Sequence, residues 1–237
     1  MPPVLHPPCF RGLRFAAADA AAVASVFDKV LGMAAMPPRT AGDSPCGRFL
    51  LDAQWLEVCA APGNTLDLGC DDLGTQRTHL RRLGIEALDG SALGCTPRLR
   101  LDAMDTGACT VDLREQAAPV GSAEDGRAAS GNGADRLCGM ELAVRAPERV
   151  ALHWAQLFHA RSSRDEGGLP RVTLASFDLR FALAADGRTG VTALEFAAAE
   201  LAPLVRKASA QGFDVCGDAR RAAFNAQGIA FRLRSGA

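Results

Sequence analysis

The sequence predicts an α+β protein built from four βαβββ modules in two domains. Three observations carry that prediction. Four amphipathic helical segments occur along the 237 residues, each preceded by a short strand with alternating apolar residues. Three short strand patterns follow each helix, and the last of the three is the clearest. The helix ends also recur at a near-constant interval. Gly32 and Gly84 are 52 residues apart, and His159, in the matching place after the third helix, precedes Gly212 by 53. A steady period with one insertion is the mark of a repeated supersecondary unit.

The first module opens on Leu13, Phe15 and Ala17, alternating on a strand. Its helix is expected over Asp19 to Leu31. Asp19 has a side-chain oxygen to cap the first N–H groups, Val23, Val26, Phe27 and Val30 form one stripe, and Gly32 tolerates the left-handed conformation that ends a helix. Its last strand is Gln54 to Cys59. The second module repeats the pattern with Leu66, Leu68 and Cys70. A helix follows over about Asp72 to Leu83, stopped at Gly84, and the last strand is Thr110 to Arg114. The third has Met140, Leu142 and Val144, then a helix from Pro147 to Phe158. Pro147 suits a first turn, and Val150, Trp154, Leu157 and Phe158 form the stripe. Its last strand is Phe177 to Leu183. The fourth has Leu194 and Phe196, a helix over about Glu200 to Ala210 stopped at Gly212, and a last strand from Ile229 to Arg234. In every module one strand face is apolar and lies under the helix, while the other is mixed and lines something else.

The stretch 117–136 is rich in Ala, Gly, Ser and charge, with almost no large apolar side chains, so it reads as a linker or mobile loop. It separates a first domain, residues 10–116, from a second, residues 137–235. The 26 basic and 27 acidic side chains leave a net charge of −1, which argues against a dedicated nucleic-acid binder. No apolar run approaches the roughly 18 residues of a membrane span. The proline-rich stretch Met1 to Phe10 lacks the basic-then-apolar pattern of a signal peptide. Eight cysteines, none in a C-x-x-C pair, read as reduced thiols of a cytoplasmic protein, most of them small core residues. No spacing joins any of them to one of the four histidines as a catalytic pair.

This layout resembles the glyoxalase/bleomycin-resistance family, the vicinal oxygen chelate superfamily. The phrase Leu13-Arg-Phe-Ala-Ala-Ala-Asp19 and the helix ending Phe27-Asp-Lys-Val-Leu-Gly-Met33 resemble the family's opening strand and helix, and Trp55-Leu-Glu-Val58 resembles its fourth strand. The likeness covers residues 10–115 well and 137–235 more loosely. It implies two glyoxalase-like half-barrel domains, each curled around a cleft that takes a small, oxygen-rich molecule. It also implies a divalent metal, held by a His on the first strand and a Glu on the fourth strand of each module. The chemistries implied are those of a lyase, an isomerase or an extradiol dioxygenase, or the sequestration of a drug. A homodimer is compatible with the resemblance.

Strand alternation assigns the cleft-facing residues. In the first module these are Gly12, Arg14 and Ala16, then Trp55, Glu57 and Cys59. In the second they are Thr65, Asp67 and Gly69, then Thr110, Asp112 and Arg114. The family's His places fall near Gly12 and Thr65, and its Glu places on Glu57 and Asp112. Both carboxylates are present and both imidazoles are absent. Zinc, iron and nickel favour imidazole, so the ion left open is a harder one, Mg²⁺, Mn²⁺ or Ca²⁺, on Glu57 and Asp112. Arg14 against Glu57, Asp67 and Asp112 leaves −2, which Arg114 reduces to −1; either balance could attract a cation. Alternatively Arg14 pairs with Glu57, and the other carboxylates are solvated. In the second domain Gly139, Glu141, Arg180, Glu195 and Arg232 face inward. Their charges either neutralise one another, or Arg180 and Arg232 fork onto a carboxylate or phosphate.

Three readings of function follow. In the first, the protein is an enzyme relative in which Glu57 is a metal ligand or general base, Arg14 an electrostatic stabiliser, Trp55 a wall and Asp112 the second ligand. Asp67, Arg180 and Arg232 complete the ligand-binding set. In the second, the protein is a metal-free binder that sequesters a small molecule without catalysis. In the third, the clefts are filled by their own side chains. Trp154 is read as core, His79 and His153 as surface or packing residues, and His159 as a cation suited to a helix C-terminus.

Overall fold

Alternation and capping place the elements in order. The structure, a computed structural model, describes residues 5–36, 47–61, 63–90, 97–116, 133–185 and 187–236. The first module comprises β1 (Cys9–Ala16), α1 (Ala20–Ser25) continuing into a π turn (Val26–Val30), β2 (Ala34–Met36), β3 (Gly47–Leu51) and β4 (Gln54–Cys59). The second comprises β5 (Thr65–Cys70), α2 (Leu73–Arg82), β6 (Leu88–Asp89), β7 (Arg98–Leu101), a single turn α3 (Ala103–Thr106) and β8 (Thr110–Glu115). The third comprises β9 (Arg136–Val144), α4 (Pro147–Leu157), β10 (Arg161–Arg164), β11 (Pro170–Leu174) and β12 (Phe177–Leu183). The fourth comprises β13 (Gly190–Ala198), α5 (Leu201–Ala210), β14 (Cys216–Gly217), β15 (Arg221–Ala226) and β16 (Ile229–Ser235). The predicted α+β class and the fourfold βαβββ order are both present. The strands form two eight-stranded sheets, ordered β2-β3-β4-β1-β5-β8-β7-β6 and β10-β11-β12-β9-β13-β16-β15-β14.

The helix signals act as the sequence suggests. The Asp19 carboxylate accepts from the Ala22 N–H at 2.8 Å, and Asp72 accepts from the Thr75 N–H. Pro147 occupies the first turn of α4. Gly32, Gly84 and Gly212 have φ of +68°, +78° and +83°, and His159, in the equivalent place, is held at +50°. One helix departs from expectation. After Ser25 the first widens into the π turn, with the Leu31 N–H reaching the Val26 carbonyl five residues back at 3.0 Å. No helix among the described residues is long and apolar enough to cross a membrane.

The chain divides into two compact units. One draws on Met1–Gly12, Asn64–Gly126 and Leu142–Gly190. Its core centres on Trp154, fully buried, edge-on to Phe158 at 5.2 Å, with its indole N–H donating to the Thr106 carbonyl at 2.9 Å. Phe10 stacks on Phe177 at 4.1 Å. The buried Gln76 amide donates to the Leu157 carbonyl at 2.8 Å and ties α2 to the end of α4.

The other unit draws on Leu13–Gly63, Arg127–Glu141 and Val191–Ala237. Phe27 is its hub and meets the rings of Phe15, Phe49, Phe196 and Phe231 at 5.2–6.3 Å. Burying a side chain of this size stabilises the fold by about 1.5–3 kcal/mol. The start of β9 is stitched into this unit. Gln54 donates to the Leu137 carbonyl at 3.0 Å and accepts from its N–H at 2.7 Å, and the Asp135 N–H reaches Ala197 at 2.8 Å. Of the linker expected over 117–136, residues 117–132 lie outside the described residues, and 133–136 belong to this stitched segment.

Candidate functional site

In the unit that holds Phe27, β1 and β4 alternate as expected. Leu13, Phe15, Leu56 and Val58 are fully buried on one face. The other face carries Arg14, Trp55, Glu57 and Cys59. Arg14 Nε lies 3.3 Å from Glu57 Oε1 and donates to Cys59 Sγ at 3.1 Å. The structure adds a residue that sequence reasoning missed. Arg48 on β3 stands opposite Glu57 in register, and its guanidinium sits 5.1 Å over the Trp55 ring, a cation–π contact. The Arg48 Nε is buried with no hydrogen-bond partner. Two guanidiniums therefore flank one carboxylate, beside an aromatic ring and the part-exposed Leu50.

The same unit holds Glu141, Glu195, Arg232 and Arg234. The buried Glu141 accepts from Arg232 Nη2 at 2.7 Å and from the Thr192 hydroxyl at 2.9 Å. Arg234 lies 3.5 Å from Glu195 and donates to Cys138 Sγ at 3.0 Å.

In the unit that holds Trp154, Asp67 and Asp112 stand directly opposite each other on the parallel strands β5 and β8. Both are buried, at 4% and 5% exposure, so the expectation that they are solvated is corrected. Like charges in register repel, and burial sharpens the repulsion. Guanidiniums answer it. Arg100 forks onto Asp112, Nε to Oδ1 at 2.7 Å and Nη2 to Oδ2 at 2.9 Å, and that bond holds the guanidinium above its ordinary pKa. Arg98 Nη1 is 3.5 Å from Asp112 Oδ2, and Arg114 Nε is 3.2 Å from Asp67 Oδ2. Arg98 and Arg100 were also missed. Strict alternation in Arg98-Leu99-Arg100-Leu101 puts them on one face, and Leu99 and Leu101 are buried on the other. Arg180 pairs with Asp165 at 3.2 Å.

The histidines lie elsewhere. His79 is in α2, His153 in α4, and His159 follows α4. His79 and His159 stack with ring centroids 3.9 Å apart. Burial, then the neighbouring His79, pushes the His159 imidazole below its ordinary value of 6.5. The helix-end cation expected at His159 is thus opposed by its surroundings. Burial raises the Cys70 thiol to about 11 and the Cys109 thiol to about 12. Both stay protonated at neutral pH and are core residues rather than nucleophiles. A groove of about 400 Å³ opens along α3 and α4, with Met104, Gly107, Arg149, Leu152, His153 and Gln156 in its lining; it lies on helices, apart from the charged strand faces.

No protein-family model and no curated protein matches the chain. Solved structures do. An Mn(II)-bound glyoxalase from Novosphingobium aromaticivorans matches with a TM-score of 0.70 at 12% identity, over 98% of this chain and 83% of that one. A catechol 2,3-dioxygenase matches with a TM-score of 0.72 at 13% identity, over 99% and 89%. The homoprotocatechuate 2,3-dioxygenase of Arthrobacter globiformis matches with a TM-score of 0.66 at 13% identity, over 100% and 83%.

This chain has the vicinal oxygen chelate fold.

On that fold the metal implied by the resemblance can be tested against the donors present. The places near Gly12 and Thr65 offer no imidazole. Glu57 is held by Arg14, and both oxygens of Asp112 accept from Arg100. A cation brought to Asp112 would meet the positive charge of Arg98 and Arg100 at contact distance. Among the described residues, no three His, Cys, Asp or Glu side chains converge to hold an ion. The donor set that this chain places on that fold does not fit a divalent metal.

Proposed function

We propose that the protein binds a small, oxygen-rich molecule at its guanidinium-lined sheet faces, without a metal ion. One observation carries this reading. The two carboxylates at the family's ligand places, Glu57 and Asp112, are each held by arginine. A carboxylate committed to a guanidinium has given up the charge and lone pairs that a cation needs. The faces offer N–H donors instead. Arg14 and Arg48 present guanidiniums beside the flat Trp55 ring, which suits a ligand with oxygen acceptors and a planar or apolar body. A homodimer is part of the proposal, and light scattering after gel filtration tests it.

A second reading keeps catalysis, with Glu57 as general base or metal ligand, Arg14 as stabiliser and Asp112 as the other ligand of Mg²⁺, Mn²⁺ or Ca²⁺. The fold shared with a glyoxalase and with extradiol dioxygenases favours it. Elemental mass spectrometry of tag-free protein, followed by ligand binding in chelator and in added Mn²⁺, separates the two. The metal-free reading expects no stoichiometric metal and equal binding in both buffers. About one Mn, Mg or Ca per chain, lost in Glu57→Gln, would overturn it.

A further inference from the structure

The face around Gly69 carries more positive charge than its carboxylates use. Resting on the reading above, we infer that it takes a small organic dianion, a phosphomonoester or a dicarboxylate, with Arg11 as the leading contact. Gly69 shares its face with Asp67, and Arg114 stands next to it in register on β8. A Cβ on Gly69 would lie 2.8 Å from Cys9 Sγ, 3.2 Å from Arg11 Cδ and 3.6 Å from Arg11 Cγ. The stem of Arg11 and the thiol of Cys9 therefore lie over Gly69, where a Cβ would crowd both. This brings the Arg11 side chain from β1 onto the face that already holds Arg98, Arg100 and Arg114.

The charge balance sets the ligand class. Within this unit the face bears Arg11, Arg98, Arg100 and Arg114 against Asp67 and Asp112, a net charge of +2. Arg100 is committed to Asp112 by two hydrogen bonds. Arg114 spans an ion pair to Asp67, yet its buried Nε makes no hydrogen bond. Arg11 makes no hydrogen bond or ion pair among the described residues, and the residue is partly buried, with its stem over Gly69. A guanidinium with its donors unspent is open to an acceptor that a ligand brings. Its planar fork matches a carboxylate or a phosphate oxygen pair. A ligand of charge −2 neutralises the face, and a monoanion leaves it positive.

Isothermal titration of the full-length protein in low salt with chelator tests this, using phenyl phosphate, succinate, acetate and glycerol as probes. Phenyl phosphate or succinate is expected to bind, at least tenfold more tightly than acetate, with no heat from glycerol. The preference between the two dianions tells a tetrahedral from a planar recognition group. Arg11→Gln and Gly69→Ala are expected to weaken that binding at least tenfold. The second variant leaves every charge in place and crowds the Cys9 thiol and the Arg11 stem. Far-ultraviolet circular dichroism and the melting temperature confirm that each variant is folded. Dianion binding unchanged in folded Arg11→Gln would overturn the site, as would the absence of binding by either dianion at millimolar concentration. Metal-free binding of glycerol-like neutral molecules in place of dianions would overturn this inference and leave the proposed function standing. A requirement for Mn²⁺ would instead overturn the metal-free reading itself.

Discussion

Replacing Asp112 with Asn tests the ion-pair description of the site at its most buried point. Asn keeps the shape and one acceptor oxygen, but it turns an NH₂ group toward a guanidinium that also donates. Asp112 is 5% exposed and accepts two hydrogen bonds from Arg100, at 2.7 and 2.9 Å. Losing a hydrogen bond between charged groups costs about 1.5–3 kcal/mol. Two effects reduce that loss. Arg100 is 39% exposed and can turn to water, and the repulsion between Asp67 and Asp112 across the register disappears. The net expectation is a destabilisation of about 2 kcal/mol, or a fall in melting temperature of about 4–8 °C for a chain of this size. Calorimetry of Asp112→Asn, Arg100→Gln and the double variant at neutral pH measures it. The pair should show a coupling of about 1–2 kcal/mol. Asp112→Asn within about 1 °C of the parent, or more stable, would refute the reasoning. So would an Mn²⁺-induced rise in melting temperature that the variant loses.

Two further predictions concern the scaffold. His159→Gly should stabilise the protein by about 1 kcal/mol at pH 7.5, because it removes a left-handed conformation costing about 1–2 kcal/mol in a non-glycine residue and loses only a surface ring contact; urea midpoints read this. With the His159 imidazole held below 6.5 in the folded state, the unfolded chain takes up the proton first as pH falls. The parent should therefore lose stability as pH drops below 6.5, toward the folded value, and His159→Gly should flatten that slope. Gln54→Leu should cost about 2–4 kcal/mol, because the Leu137 N–H and carbonyl lose their partner at a buried position. Faster hydrogen exchange at the Leu137 amide would localise the effect.

The elements were legible where one period governs them. The stripe Val150, Trp154, Leu157 and Phe158 marks α4, and Phe177 to Leu183 is β12 to the residue. The π turn was hidden because Val23, Val26, Phe27 and Val30 fit an ordinary 3.6-residue period equally well. Alternation also put Arg14 and Glu57 on one face, and they pair. The clamp on Asp112 was out of reach for a different reason. It depends on Arg100 standing opposite Asp112 across β7 and β8, and that register is set by the intervening turn. There the Thr106 hydroxyl donates to the Cys109 carbonyl at 2.6 Å and accepts from its N–H at 3.2 Å. A one-residue slip would turn Arg100 to the opposite face, so spacing alone could not name the partner.

The same clamp predicts a trade between stability and binding. A divalent ion leaves coordination positions open for two adjacent oxygens, whereas a guanidinium offers directed N–H donors and a fixed charge. On the face around Gly69, part of that charge is spent on holding Asp67 and Asp112 side by side. Asp112→Asn should therefore act in opposite directions on the two properties. It weakens the fold, yet it raises the face from a net +2 to +3 and frees Arg100 to reach a ligand. One added charge about 6 Å from a dianion, at the dielectric of water, contributes about 1.4 kcal/mol, roughly a tenfold gain in affinity at low salt. Salt near 0.5 M should remove most of that gain through screening. Titration of phenyl phosphate into the parent and Asp112→Asn at two ionic strengths measures both effects. A variant that is less stable and binds no more tightly would show that Arg98 and Arg100 serve the fold alone, which would confine recognition to Arg11 and its neighbour Arg114.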